Sequence, residues 1–163
     1  MRKPVIQFIF FVALLSSFIA AQTPLHMPAK PNPNLYPANA NVRQEIADTV
    51  AKAEKSNKRI LLVFGANWCG DCYALDYAFH QASIEPTLDA NYKVIHIDVG
   101  KFDKNLDVAA KYQINLHKGI PSIALLDSKG SLLNATAEFE RARVMTEEDV
   151  LAFLNKWKPP AAK

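Results

Sequence analysis

The amino-acid sequence predicts an α/β domain with a mixed central sheet of about four strands and helices on both faces. A continuous apolar run at residues 60–64 and a mostly apolar segment at residues 94–99, which includes His96 and Asp98, predict two buried strands, and the continuous run is typical of a strand that is buried on both faces of a sheet. Segments with apolar residues at helical spacing precede, separate and follow these runs. The resulting order of elements is α-β-α-β-α-β-β-α.

The first half of the domain alternates helices and strands. Asn41 is a good N-cap residue with Gln44 at the capping-box position, and its helix extends to about residue 57. The first buried strand follows, and a second helix begins near Cys69 and continues past Phe79.

Capping and turn residues define the second half of the domain. Ser83 is expected to cap a short helix that tolerates Pro86 in its first turn. The remaining elements are a helix at 105–112, strands at 121–126 and 131–136 joined by a turn at 127–130, and a final helix from Thr146 to 158. The aromatic and aliphatic core candidates outside the strands are Phe79, Leu88, Phe102 and Phe153.

Residues 1–21 predict an export signal. Arg2 and Lys3 form a basic start, residues 5–18 are largely apolar, and two alanines at the end provide a cleavage site. An uncleaved anchor is the alternative, because residues 5–21 come near the lower limit for spanning a bilayer. We therefore expect a periplasmic or secreted protein, which is membrane-anchored if the signal is retained.

A proline-rich linker at residues 22–40 separates the signal from the domain. Its five prolines favour an extended chain, which either holds the domain away from a membrane or wraps its surface. The globular domain is predicted at residues 41–158, and residues 159–163 form a short tail.

The charge balance gives no case for nucleic acid as a partner. The chain has 19 basic and 16 acidic residues, and two of the basic ones, Arg2 and Lys3, lie in the predicted signal. Nucleic-acid-binding domains instead carry a marked excess of clustered basic residues. A monomer is expected.

The two cysteines of the chain, Cys69 and Cys72, lie where a buried strand leads into a helix. A cysteine in the first helical turn faces unpaired backbone N–H groups and the positive end of the helix dipole. Both favour the thiolate, so the pKa of Cys69 should lie below its ordinary value. Cys72 lies about one turn later on the same side. Cys69 is thus the predicted nucleophile and Cys72 the resolving thiol.

The segment Phe64-Gly65-Ala66-Asn67-Trp68-Cys69-Gly70-Asp71-Cys72 resembles the active-site segment of the thioredoxin superfamily, and Gly119-Ile120-Pro121-Ser122 resembles its cis-proline loop. The resemblance covers residues 41–158 and is closest to exported bacterial thioredoxin-like proteins. It implies a thioredoxin fold and a thiol–disulfide oxidoreductase without a cofactor beyond its own disulfide. It also implies a cis bond between Ile120 and Pro121, with the Ile120 backbone facing the sulfurs and pairing with substrate. Trp68, Gly70 and Asp71 are expected to tune the redox pair or contact the substrate.

The sequence departs from the thioredoxin pattern at three positions. Val63 and Val94 stand where thioredoxins usually carry a buried aspartate and its accompanying lysine, so the usual proton relay to Cys72 is absent. Asp71 replaces the common proline, and its carboxylate should raise the pKa of Cys69 and stabilise the disulfide. Together with Ile120, this favours a reductant.

Two other uses of the cysteine pair are less well supported by the sequence. A zinc site needs further ligands at suitable spacing, and His80, His96 and His117 are scattered along the chain. A non-enzymatic binding or chaperone module would not require both cysteines. The expected partners are protein or small-molecule disulfides and an upstream thiol reductant, for which a membrane thiol transporter is a candidate. His117 and Lys118 either border the substrate groove or lie in a solvated loop.

Overall fold

The computed structural model describes residues 23–160; the predicted signal at 1–21 and the last three residues of the predicted tail lie outside this range. The elements in chain order are α1 (Val42–Ser56), β1 (Arg59–Gly65), α2 (Gly70–Phe79), α3 (Glu85–Asn91), β2 (Tyr92–Asp98), α4 (Leu106–Lys111), β3 (Ser122–Leu126), β4 (Leu132–Thr136) and α5 (Glu147–Trp157). Two short 3₁₀ turns lie at Leu116–Lys118 and Ala142–Val144.

The four strands form one sheet in the order β2-β1-β3-β4. Strand β1 pairs with β2 in parallel and with β3 antiparallel, and β3 pairs antiparallel with β4. The sheet is therefore mixed, which confirms the predicted α/β thioredoxin fold. The active-site segment follows the end of β1, a central strand.

Two hydrophobic cores lie on opposite faces of the sheet, because successive residues of β1 point to opposite sides. Ile60, Leu62 and Phe64 belong to the core that includes α1 and α4. Leu61 and Val63 belong to the other core, with residues of α2, α3 and α5. All five side chains are buried, as the continuous apolar run predicts.

The predicted helix caps have different outcomes. Asn41 caps α1 by accepting a hydrogen bond from the Gln44 N–H at 3.3 Å, which confirms the prediction, although the Gln44 amide bonds to Asp48. Thr146 forms a complete capping box at the start of α5. The prediction that Ser83 caps a helix is wrong: the N-cap residue of α3 is Ile84, which provides no side-chain cap, and the Ser83 hydroxyl donates to Glu147 instead.

Three of the four core candidates outside the strands are buried, namely Phe79, Leu88 and Phe153. The prediction for Phe102 is wrong, since 41% of the residue is exposed. Its backbone has a positive φ of 65°, in a turn between β2 and α4 that directs the ring away from both cores.

Residues 23–40 wrap the domain surface, and we call this segment the strap. The backbone N–H of Leu25 donates to the Met145 carbonyl at 2.7 Å, and Leu25, Leu35 and Tyr36 are buried. Of the two alternatives left open by the sequence, the structure therefore shows packing against the domain. Among residues 23–160, none of the helices has the length and hydrophobicity that crossing a bilayer requires.

Candidate active site

Cys69 and Cys72 are joined by a disulfide at the junction of β1 and α2, with their Cα atoms 5.3 Å apart. Strand β1 ends at Gly65, and a short turn brings the chain to Cys69, the N-cap residue of α2. A central strand with both faces buried therefore fixes the position from which the helix starts.

The Cys69 sulfur replaces the usual side-chain oxygen of a helix cap. It accepts a hydrogen bond from the backbone N–H of Cys72 at 3.1 Å. Cys69 is 6% exposed and Cys72 only 1%, so an incoming group reaches the first sulfur more easily. In the reduced protein the same N–H and the helix dipole would stabilise a thiolate on Cys69.

The loop before β3 completes the wall around the disulfide. The Ile120–Pro121 peptide bond is cis, and the Ile120 carbonyl oxygen lies 3.6 Å from the Cys69 sulfur. Gly119 adopts a φ of 114°, a region that side chains disfavour, and its carbonyl accepts a hydrogen bond from the Ser122 hydroxyl at 2.8 Å. The structure thus brings the two motifs of the sequence together.

The strap supports the turn before Cys69 through Asn67. The Asn67 side chain accepts from the Tyr36 N–H at 2.9 Å and donates to the Tyr36 carbonyl at 2.8 Å. The Tyr73 hydroxyl donates to the Asn67 carbonyl at 2.9 Å. Sequence reasoning missed both anchors, because Tyr36 lies in the proline-rich segment and no local pattern indicates the bond between Tyr73 and Asn67. Tyr73 is buried and serves the core.

Trp68 is 57% exposed beside the disulfide and is held in place by the loop at residues 99–105, which we call the platform loop. The indole N–H donates to the Gly100 carbonyl at 2.8 Å, and the ring meets Phe102 edge to face at a centroid distance of 5.8 Å. Trp68 therefore presents a fixed apolar surface next to the nucleophilic position.

Asp71 does not stand as an isolated carboxylate. It accepts hydrogen bonds from the backbone N–H of Arg143 at 3.0 Å and from the Arg143 guanidinium at 3.1 Å. This ion pair offsets the electrostatic effect on Cys69 that was expected from Asp71 alone. Arg143 lies 72 positions away in the second 3₁₀ turn, and no local pattern indicates the pairing.

Gly70, between the cysteines, faces two side chains from distant segments. A Cβ atom at this position would lie 3.0 Å from the Met27 sulfur in the strap and 3.6 Å from the Arg143 guanidinium. A larger residue would therefore have to displace the strap at the edge of the disulfide.

The position of the usual buried acid is apolar, as predicted: Val63 is 1% exposed. Its partner on the parallel strand, however, is His96, whose ring approaches Asp76 of α2 at 3.5 Å. Burial lowers the pKa of His96 to about 4, and burial raises the pKa of Asp76. Asp76 follows Cys72 by four residues, so the two lie on the same side of α2, one helical turn apart.

The histidines are less scattered than the sequence indicates. His80 and His96 both approach Asp76, at 3.9 Å and 3.5 Å, whereas His117 lies near the platform loop. Within residues 23–160, no group of three or more potential metal-ligating side chains is arranged to hold an ion.

Fold and site together define a thioredoxin-superfamily protein: a mixed four-stranded sheet with a Cys-x-x-Cys pair at a helix start, facing a cis-proline loop. A family model described as Thioredoxin-like matches residues 41–128, more than half of the chain. The chain belongs to this thioredoxin-like family, which confirms the resemblance drawn from its motifs.

Solved structures and curated proteins give the same assignment. A disulphide isomerase from Xylella fastidiosa Temecula1 is 32% identical, with a TM-score of 0.70 over 74% of this chain and 94% of that one. The reduced C-terminal domain of DsbD from Neisseria meningitidis, 16% identical over 72% of this chain and 96% of that one, shares the fold with a TM-score of 0.55.

Among curated proteins, Protein disulfide isomerase-like 1-2 from Oryza sativa subsp. japonica is 28% identical over 133 residues, or 81% of this chain. A protein disulfide-isomerase from Medicago sativa is 27% identical over 78% of this chain. The chain spans 22% of the length of each of these two relatives. With the paired cysteines, the similarity to the disulphide isomerase from Xylella fastidiosa Temecula1 supports thiol–disulfide oxidoreductase activity.

Proposed function

We propose that this protein is a thiol–disulfide oxidoreductase of the cell envelope that reduces or exchanges protein disulfides through Cys69 and Cys72. The observation that carries the proposal is the position of the Cys69 sulfur at the N-cap of α2, hydrogen-bonded to the Cys72 N–H at 3.1 Å. The expected export signal at residues 1–21 supports the location.

The reaction starts from the reduced protein. The Cys69 thiolate attacks one sulfur of a substrate disulfide, the substrate S–S bond breaks, and the first substrate thiolate leaves and takes up a proton. Cys72 then loses its proton and attacks the Cys69 sulfur of the mixed disulfide. The second substrate thiolate leaves and is protonated, and the Cys69–Cys72 disulfide of the structure is the product.

A further turnover needs two electrons and two protons from an upstream thiol reductant, and we propose a membrane thiol transporter as a candidate. The resemblance of Ile120 to reductase-like members favours this direction of electron flow. Equilibration of the mature protein with glutathione measures the redox potential. We expect a value nearer about −270 mV than −120 mV, and a potential above about −150 mV would contradict a reducing role.

The catalytic assignment is tested with two single variants. Cys72→Ser leaves the nucleophile without its resolving partner, so we expect covalent mixed disulfides to accumulate on Cys69. Cys69→Ser should abolish reduction of a protein disulfide such as insulin. The proposal fails if the mature wild-type protein reduces no disulfide and Cys72→Ser traps none.

A further inference from the structure

The end of the domain farthest from the disulfide brings together the ends of several elements. Strands β1 and β2 start there side by side, with Arg59 opposite Tyr92, and Ile60 pairs with Leu126 at the end of β3. The Arg59 guanidinium donates to the carbonyl of Trp157, the last residue of α5. The disulfide follows the other end of β1, so the seven residues of this strand separate the two regions by roughly 20 Å.

Eight basic residues lie at this end of the domain, which we call the basic end. They are Lys52, Lys55, Lys58, Arg59, Lys93, Lys129, Lys156 and Lys158. The acidic residues at the same end are Glu54 in α1, Asp89 in α3 and Asp127 after β3, so the basic end has a net charge of +5. Because residues 23–160 contain 16 basic and 16 acidic residues, the rest of the described domain has a net charge of −5.

The charges of the basic end are open to solvent. None of its eight basic side chains forms an ion pair with a side chain of residues 23–160. Lys58 and Arg59 donate to backbone carbonyls, and the Lys156 ammonium lies 5.3 Å from the centroid of the Trp157 ring. The exposed members of the basic end are Lys52, Lys55, Lys129, Lys156 and Lys158. These cations are therefore available to an external anion.

Helix dipoles explain only part of this cluster. Lys55 and Lys156 lie in the last turns of α1 and α5, where a cation complements the negative end of the helix dipole. Lys52, Lys93 and Lys129 lie outside these last turns. The fold thus concentrates more positive charge at this end than its two helix termini use.

The arrangement is complementary to an extended anionic surface. Lys58 and Lys93 share a cavity with Asp76, which lies further along the sheet beside His96. The other basic residues are spread over α1, α5, the start of β1 and the turn after β3, and they do not line this cavity. Dispersed basic residues contribute separately to binding at a charged bilayer. The Trp157 ring among them is of the amphipathic kind that is enriched at membrane–water interfaces.

We propose that the basic end binds the surface of a bilayer that contains anionic phospholipids, with the disulfide directed away from the lipid. The same surface repels the negative charge on the rest of the domain, which favours a single orientation. Bound in this way, Cys69 faces disulfides in the aqueous phase. The inference goes beyond the proposed function and does not rest on it, because the basic end lies at the opposite end of β1 from the redox pair.

The first experiment measures co-sedimentation of the mature protein with large vesicles. We expect the partition coefficient to rise by on the order of 100-fold when about one third of the phosphatidylcholine is replaced by phosphatidylglycerol, which corresponds to about three basic residues acting at an anionic surface. Binding should be lost at about 0.5 M salt, where surface charges are screened. Equal partition onto the two kinds of vesicle overturns the inference.

Two variants of equal charge test the location of the binding surface. One replaces exposed lysines of the basic end: Lys52→Gln, Lys55→Gln, Lys156→Gln and Lys158→Gln. The matched control replaces exposed basic residues in the segments around the disulfide: Lys30→Gln, Lys101→Gln, Lys118→Gln and Arg141→Gln. The first variant should partition as the wild type does onto pure phosphatidylcholine, whereas the control should keep most of the wild-type binding. Binding that survives in the first variant, or is lost equally in both, overturns the inference.

A gain of binding keeps the test decisive if the quadruple variant fails to fold. Glu54→Gln removes an exposed acid of the basic end and should strengthen binding by about fivefold. Glu45→Gln, in the first turn of the same helix, is its control and should leave binding unchanged. Equal effects of the two substitutions would show that net charge alone governs binding, which contradicts the proposed surface.

Orientation is measured with lipids that carry a fluorescence quencher at the headgroup. Trp68→Phe leaves Trp157 as the emitter, and we expect its fluorescence to be quenched on anionic vesicles. Trp157→Phe leaves Trp68 beside the disulfide, and its fluorescence should be unaffected. The reverse pattern overturns the proposed orientation. Tighter binding to double-stranded DNA than to vesicles at equal accessible phosphate would indicate a nucleic-acid surface and overturn the bilayer proposal.

Discussion

Protonation of His96 should make the fold sensitive to acid. The His96 imidazole is 20% exposed and lies in a cavity between α2, α3 and β2. It faces Asp76 of α2 and the Tyr36 ring of the strap, and His80 at the end of α2 lines the same cavity. Burial, reinforced by the nearby His80, lowers the pKa of His96 from 6.5 to about 4. Between these values the unfolded chain binds a proton that the folded protein does not.

The sign and size of the effect follow from this difference in pKa. The contribution of neutral His96 to stability is complete above about pH 6.5 and is lost as the pH falls towards 4. Between pH 7.5 and 4.5 the loss amounts to about 2–3 kcal/mol. Asp76 acts in the opposite direction: burial raises its pKa, so its contribution is present below about pH 4 and is lost as the pH rises through the raised value.

Urea unfolding of the oxidised protein across this pH range measures the effect. His96→Gln cannot be protonated, so the difference in unfolding free energy between wild type and variant should shrink by about 2–3 kcal/mol from pH 7.5 to 4.5. His117→Gln is the control, because His117 is exposed and lines a different cavity from His96. Parallel pH profiles for wild type and His96→Gln, or an NMR titration of the His96 ring near pH 6.5, would refute the reasoning.

Three further perturbations test contacts around the site. Arg143→Gln should raise the pKa of the Cys69 thiol in the reduced protein, because Asp71 loses its counter-ion, and Arg143→Lys should raise this pKa less. A pH titration of the thiolate absorbance measures both changes. Identical titration curves for the wild type and Arg143→Gln would contradict the pairing. Gly65→Ala places a methyl group 2.7 Å from Cε1 of Tyr36 and should lower the free energy of unfolding in urea by about 1–3 kcal/mol. If the variant unfolds at the same urea concentration as the wild type, the strap does not cover this position. Thr146→Ala removes the capping box and should cost about 1 kcal/mol, whereas Thr146→Ser should restore most of it.

Much of the fold was accessible from the sequence because its signals are local. The apolar run of β1 and the capping residues Asn41 and Thr146 depend on near neighbours in the chain, and the structure agrees with each. Strand β2 is present as predicted, but Val94 and His96 are only half-buried because β2 lies at the edge of the sheet. Ser83 shows the limit of such reasoning. A serine hydroxyl can cap a helix, but the Ser83 hydroxyl instead donates a hydrogen bond to the Glu147 carboxylate, 64 positions away.

The cysteine pair and the loop at Ile120 were identified in the same way, as short motifs with a chemical rationale. The contacts that surround them are non-local and could not be found by pattern. Arg143 pairs with Asp71 across 72 positions, and Tyr36 bonds to Asn67 across 31. Apolarity alone predicts a core position for Phe102, whereas the positive φ of this residue, in the turn between β2 and α4, directs its ring outward.

The reciprocal bonds between Tyr36 and Asn67 bear on where the folding unit begins. Helical periodicity and the family model both start at residue 41, after the strap. An expression fragment cut at that point would lose the ring that covers Gly65 and both partners of the Asn67 amide, which lies two residues before the nucleophile. Any minimal fragment intended to retain the native redox centre must therefore include residues 24–36.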